Sequence, residues 1–99
     1  MMRLIYTPRS LDDFDHILQR IAEDNPAAAV RLGEDILNTC KLLKSHPEMG
    51  ERKDELTAGL RRFSCRGYGI YYRIDSEQQV VWIGRLLHPA LDVKRQAFD

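Results

Sequence analysis

Residues 59–74, GLRRFSCRGYGIYYRI, hold four arginines and three tyrosines and not one acidic side chain. Aromatic and β-branched residues crowd the stretch, and Arg66-Gly67 in its middle is a two-residue turn signal. Leu60–Cys65 and Tyr68–Asp75 are therefore predicted as the arms of an antiparallel hairpin. Period-2 alternation puts Ile70, Tyr72 and Ile74 on one face of the second arm and Tyr71 and Arg73 on the other. Arg61 and Arg73 are expected to project from the same sheet face, and Arg62 from the opposite one.

Working outward, Ser76-Glu77-Gln78 makes a second hairpin-length turn into a third strand, Gln79–His88, which Pro89 ends. In that strand Val81, Ile83 and Leu87 alternate with Val80, Trp82 and Leu86. Both faces read as apolar, so the pattern leaves the inward face open. LDVKRQAF (91–98) is predicted as a short terminal helix. Upstream, PEMGERKDELTAG (47–59) is a polar connection with Gly50 and Gly59 as turn points.

The first half of the chain has a different period. RLIY (3–6) is a short β-type run closed by Thr7-Pro8. Ser10 with Asp13 makes a helix N-cap pair, after which Leu11, Phe14, Ile17, Leu18 and Ile21 form one apolar stripe. Asn25 caps a second helix with Pro26 at its first position, where the missing N–H costs nothing. Ala29, Leu32, Ile36, Cys40 and Leu43 line that helix, and His46-Pro47 stops it. Two helices joined so tightly form an antiparallel hairpin that cannot bury both stripes alone. It needs a sheet to cover. The fold class is α+β: an N-terminal strand, a helical hairpin packed on an antiparallel meander, and a short C-terminal helix.

Composition narrows the function. A chain of 99 residues makes one domain with a modest core, and 43% hydrophobic with 30% charged residues is ordinary for a globular protein. No apolar run is long enough to span a membrane, and the N-terminus lacks a signal-peptide core, so a cytoplasmic location is expected. Cys40 and Cys65 are too few and too far apart for a disulfide framework or a zinc site, and both read as reduced thiols. No cofactor or metal motif is present: there is no Walker loop, dinucleotide-binding glycine pattern or nucleophile elbow.

Net charge is zero but unevenly spread: residues 1–59 carry net −3 and residues 60–99 net +3. That split favours docking of one acidic partner over general coating of nucleic acid. Arg61, Arg62, Arg66, Arg73 and Arg85 cluster on the strands, and guanidinium groups grip phosphate or carboxylate through a planar donor fork. Taken singly, each arginine reads first as a solvated strand charge that discourages edge pairing, and only the group favours binding. Cross-strand packing accounts for Tyr72, whereas Tyr71 stays open between packing and contact with a ligand. His88, fixed between a strand end and a proline, stands where a general base would serve. Metal-independent RNA cleavage wants a base, cations for the phosphate and an acid. Arg61, Tyr71, Arg85 and His88 supply those residue types. His16 falls on a solvated helix face, and His46 complements a helix dipole.

Three segments, YTPRSLDDFDHI, PEMGERKDELTAGLRRFSCRGYGIYYRI and VVWIGRLLHPALD, resemble the ParE/RelE toxin superfamily of bacterial toxin–antitoxin modules nearly end to end. The most specific pieces are GLR, YGIYYRI and IGRLLHPALD. The chain carries no lysine from Leu56 to Val93, so it lacks the lysine-rich surface of the RelE ribonucleases, and its ending looks like the ParE branch. Pro89, Ala90 and Leu91 depart from the basic residues that often follow the histidine there.

The resemblance implies a plasmid-stabilisation-type toxin that poisons DNA gyrase by contact. It implies neutralisation by a ParD-like antitoxin with a ribbon-helix-helix domain, through which alone promoter DNA is bound. It assigns antitoxin binding to Arg61, Arg62, Arg66, Tyr71, Arg73 and Arg85, and target binding to His88, Asp92, Lys94 and Arg95. The alternatives are a RelE-like messenger ribonuclease using Arg61, Tyr71, Arg85 and His88, or an inactive relative that binds only its antitoxin.

Overall fold

The computed structural model describes residues 1–98. Among them the elements run β1 (Arg3–Tyr6), α1 (Pro8–Asp24), α2 (Pro26–Ser45), a 3₁₀ turn (Pro47–Met49), β2 (Glu51–Arg52), β3 (Arg61–Cys65), β4 (Tyr68–Asp75), β5 (Val80–Leu87) and a second 3₁₀ turn (Val93–Arg95). The strands form one mixed sheet in the order β1-β5-β4-β3-β2. β3, β4 and β5 are the expected meander, and β1 lies parallel to β5. The expected C-terminal helix is only the single 3₁₀ turn, and β2 is a two-residue strand inside the stretch read as a polar connection.

The helical hairpin turns on one residue. The Asn25 N–H closes α1 on the Ile21 carbonyl at 2.8 Å, and its side chain accepts the Ala28 N–H of α2 at 3.1 Å. A residue that serves as both caps leaves no slack between the helices. Gly33 lets them approach: a Cβ there would stand 3.1 Å from a Leu18 methyl. At the other end the N-cap is Thr7, not Ser10; the Thr7 hydroxyl accepts the Ser10 N–H at 3.2 Å and Pro8 takes the first position. Starting the helix there turns Ser10 inward with Phe14, Ile17, Leu18 and Ile21, and leaves Leu11 exposed.

The core lies between the hairpin and one sheet face. Leu32, Ile36, Cys40 and Leu43 of α2 pack on Ile70, Tyr72, Val81, Ile83 and Leu86. The inward set of β5 comes from a bulge. Tyr71 pairs with Arg85 and Tyr72 with Ile83, so Gly84 is an extra residue that reverses the parity of the strand. Leu86 therefore joins Val81 and Ile83, while Leu87 turns to the outer face. A small second cluster forms there from Leu60, Tyr71 and Leu87, with Leu56, Val93 and Phe98 against it.

Tyr72 ties the sheet to the α2–β2 connection. Its hydroxyl donates to the Pro47 carbonyl at 2.6 Å and accepts the Gly50 N–H at 2.8 Å. A Cβ at Gly50 would lie 2.4 Å from that oxygen, so only glycine fits. Tyr72→Phe leaves a carbonyl and an N–H of this joint without partners, and a loss of about 1–3 kcal/mol is expected in urea unfolding. Gly50→Ala is expected to destabilise by a similar amount through the clash.

Both cysteines are free and buried. Burial pushes the Cys40 thiol up from 9.0 to about 11, and burial also raises Tyr6 and Tyr72. These groups are more easily ionised in the unfolded chain than in the folded one. The stability that depends on Cys40 is complete below pH 9.0 and lost as pH rises through about 11. Unfolding free energy is expected to fall between pH about 9 and about 11, and Cys40→Ala to flatten part of that slope.

Candidate functional site

The face of the sheet away from the helices carries some of the residues singled out in the sequence, but not all of them. Register decides the partition. Arg61 stands opposite Tyr72, and Arg62 opposite Tyr71. Arg62, Tyr71 and Arg73 therefore share the outer face, and Arg61 lies on the other. The expectation that Arg61 and Arg73 project together is overturned, because the pairing across β3 and β4 puts Arg61 on the side of the buried Tyr72.

Most of these cations are already held by the protein. Arg61 Nη1 donates to the Gly50 carbonyl at 2.8 Å and to the Glu48 carbonyl at 3.3 Å, bracing the connection that Tyr72 also pins. Arg62 Nε donates to the Tyr71 hydroxyl at 3.2 Å and Nη1 to Ser64 Oγ at 2.7 Å, while its guanidinium lies 5.8 Å from the centre of the Tyr71 ring. Arg66, at φ 52° in the β3–β4 turn, pairs with Asp35 of α2 at 3.1 Å. That pair is half-exposed and contributes about 0–1 kcal/mol.

Arg85 is different. Its Nε and Nη2 meet the two oxygens of Asp13 at 2.8 and 3.0 Å, and Nη1 donates to the Ala97 carbonyl at 3.0 Å. Asp13 also accepts the Leu86 N–H at 3.0 Å. Side-chain exposures of 11% and 17% make this a largely desolvated bidentate pair. It locks α1 to the bulge of β5. Asp13 was read as an N-cap partner and its link to Arg85, 72 residues along the chain, had no signal in the local pattern.

Tyr71 packs on Phe98, with ring centres 4.9 Å apart, so the C-terminal segment crosses the outer face over it. His88 stands edge-on to Tyr68 at 5.5 Å, and its Nδ1 accepts the Ala90 N–H at 3.0 Å. That bond occupies the Nδ1 lone pair and puts the proton of the neutral ring on Nε2. Asp92 caps the final 3₁₀ turn by accepting the Lys94 N–H at 3.1 Å and lies 3.7 Å from Arg95.

A cleft of about 340 Å³ brings together Arg62, Tyr71, His88 and Lys94, with Lys53 and Leu56 from the connection completing its wall. Lys53 and Leu56 lie in a run that reads only as a polar loop, and nothing in it marked them. Arg61, Arg66, Asp92 and Arg95 do not line this cleft. Among the described residues, no three His, Cys, Asp or Glu side chains stand where they could hold a metal ion, and no helix is long and apolar enough to cross a membrane.

This architecture, two helices on one face of a five-stranded mixed sheet with arginines on the other, is a small α+β fold. Residues 4–92 match the family model of the ParE toxin of the type II toxin–antitoxin system parDE, and the chain belongs to that family. It is 29% identical to Toxin ParE3 of Caulobacter vibrioides over 83 residues, 82% of each chain. The fold is similar to a solved chain of a chromosomal ParDE system from P. aeruginosa, with a TM-score of 0.76, 21% identity and coverage of 89% of this chain and 96% of that one. It is also similar to a chain of the RelBE2 toxin–antitoxin complex from Mycobacterium tuberculosis, with a TM-score of 0.57, 26% identity and coverage of 88% and 96%.

If Arg85 serves mainly as a joint, removing it acts on stability before it acts on binding. Arg85→Ala or Asp13→Leu leaves the other charge desolvated and unpaired, and a loss of about 3–5 kcal/mol is expected in chemical denaturation. The pair Asp13→Leu with Arg85→Met is expected to recover most of it, whereas the Arg66→Ala variant is expected to shift stability by no more than about 1 kcal/mol.

Proposed function

We infer that the protein is the toxin of a type II module that disables DNA gyrase by binding it, and that a ParD-like antitoxin neutralises it. The match to the ParE family across residues 4–92 carries this reading. The disposition of the arginines supports it: Arg61 and Arg85 are engaged by the protein's own carbonyls and by Asp13, and His88 Nδ1 is occupied. A phosphoryl-transfer site wants such groups converged on one reacting phosphate. Here they are spread over both sheet faces and the strand end.

The antitoxin in this reading carries a ribbon-helix-helix DNA-binding domain and an acidic C-terminal segment that orders on the toxin. Its contacts fall on the outer face, at Arg62 and Arg73, with Arg66 beyond the turn, while Tyr71, buried under Phe98, supports Arg62 from below. Arg61 and Arg85 shape that surface from within. His88 and Lys94, beside the 340 Å³ cleft, are assigned to the target, with Asp92 and Arg95 on the adjoining turn. The protein acts in the cytoplasm, meets promoter DNA only through its antitoxin, and uses no cofactor.

A RelE-like ribonuclease is the second reading, favoured by the one cleft that gathers Arg62, Tyr71, His88 and Lys94. Inducing the protein alone in bacteria, with supercoiling by purified gyrase and messenger integrity followed in parallel, separates the two. Lost supercoiling with intact messengers is expected. Cleaved messengers with normal supercoiling would establish the ribonuclease, and unimpaired growth with neither effect would leave a protein that binds only its antitoxin.

A further inference from the structure

One sheet arginine differs from the rest. Arg73, on the outer face of β4, has a single acceptor among the described residues, the neutral Thr57 hydroxyl 3.2 Å from Nη2. Its Nε is buried and meets no hydrogen-bond partner. No carboxylate of the described residues lies within ion-pairing distance, whereas Arg85 and Arg66 each have one. A half-buried guanidinium in that condition has lost hydration without gaining a counter-charge, and an unfilled donor of this kind is uncommon in a folded protein.

Beside it opens a cavity of about 520 Å³ walled by Leu60, Trp82 and Phe98. Trp82 is the direct cross-strand partner of Arg73 and is 36% exposed, a large aromatic left at the surface next to the unmatched charge. Tryptophan beside arginine, in a concave apolar setting, is the composition of a binding hot spot. The lower dielectric there strengthens attraction to an incoming anion, and the planar fork of Arg73 receives two carboxylate oxygens once its weak bond to Thr57 is given up.

We propose that the Arg73–Trp82 cavity is a docking site for a protein segment that places one aspartate or glutamate on Arg73 and an adjacent apolar side chain on Trp82. The rim decides between a peptide and a nucleic acid. Asp75 and Glu77 line the same cavity, and the Asp75 carboxylate is turned to the Gln78 N–H at 3.0 Å. A polynucleotide brings a continuous row of phosphates against these carboxylates, and only one unpaired cation faces it. A peptide brings one acid and leaves the rim to neutral or basic neighbours. This deepens the antitoxin reading above and rests on it for the origin of the segment; the site stands apart from the Arg62–Tyr71–His88 cleft and does not depend on the identity of the cellular target.

Trp82 is the sole tryptophan of the chain, so its fluorescence reports on this cavity alone. The experiment titrates the purified full chain with acetyl-Leu-Glu-Leu-amide, with the Leu-Gln-Leu analogue, with inorganic phosphate and with oligouridylate. ¹⁵N spectra of the arginine Nε–H groups are followed alongside. For so few atoms a millimolar dissociation constant is the expected scale. The glutamate peptide is expected to change Trp82 emission saturably and to move the Arg73 Nε–H resonance, and the glutamine peptide to bind at least about tenfold more weakly. Arg73→Gln is expected to abolish the difference between the peptides and Arg73→Lys to retain part of it, with circular dichroism confirming that each variant is folded.

Equal binding of the two peptides to the unaltered protein would overturn the proposal, and so would no response at saturating solubility. A response to phosphate or oligouridylate at lower concentration than to the glutamate peptide would overturn it in favour of a phosphate site. None of these outcomes bears on whether the protein stops gyrase, so the two conclusions fail separately.

Discussion

The carboxylate of Asp13 receives two nitrogens of Arg85 and the backbone N–H of Leu86, all within 3.0 Å. Six residues earlier, at the N-cap of the same helix, the Thr7 hydroxyl donates to the Gly84 carbonyl at 2.9 Å. Together they take over the edge of β5 where β1 has ended and its own ladder bonds stop at Ile83. The backbone groups of β5 beyond the end of β1 would otherwise face the desolvated joint unpaired. Because Gly84 is the extra residue of the bulge, this contact also stabilises the parity change that sends Leu86 to the core and Leu87 outward. The docking of α1 on β5 and the change of face beyond Gly84 rest on it.

The outer face inherits its character from that arrangement. With the helices committed to one side, the other side is covered only by a small cluster and the crossing C-terminal segment. Tyr71 and Leu87 are buried there against Val93 and Phe98, while Trp82 and Arg73 remain at the surface. Two kinds of arginine result: Arg61 and Arg85 brace the sheet through internal acceptors, whereas Arg62 and Arg73 lie on its outer face. Arginine suits both tasks, since its fork satisfies several carbonyl or carboxylate oxygens at once and never loses its charge.

Much of the fold was legible because it rests on short-range rules. Asn25-Pro26, the two helical stripes, Arg66-Gly67 and the β-type runs placed the hairpin and the meander almost to the residue. Thr7 was missed as a cap because Ser10 with Asp13 offers an equally good local pattern. Only the pairing of Thr7 with Gly84 and of Asp13 with Arg85 shows why the helix begins earlier. The short β2 strand was invisible because two charged residues carry no strand signal and are ordered by pairing with Arg61 and Arg62.

The candidate site was legible in kind and not in arrangement. The basic, aromatic character of residues 59–74, the absence of lysine from Leu56 to Val93 and the family resemblance are properties of the one-dimensional chain. Which arginines face a partner is not. A strand's period of two assigns relative faces within one strand, but the register between strands and a single bulged glycine decide which face is shared across the sheet. The β3–β4 register is set across a hairpin and the bulge by contacts more than seventy residues apart in sequence, so the tertiary structure alone could separate the arginines bound to internal acceptors from those on the outer face.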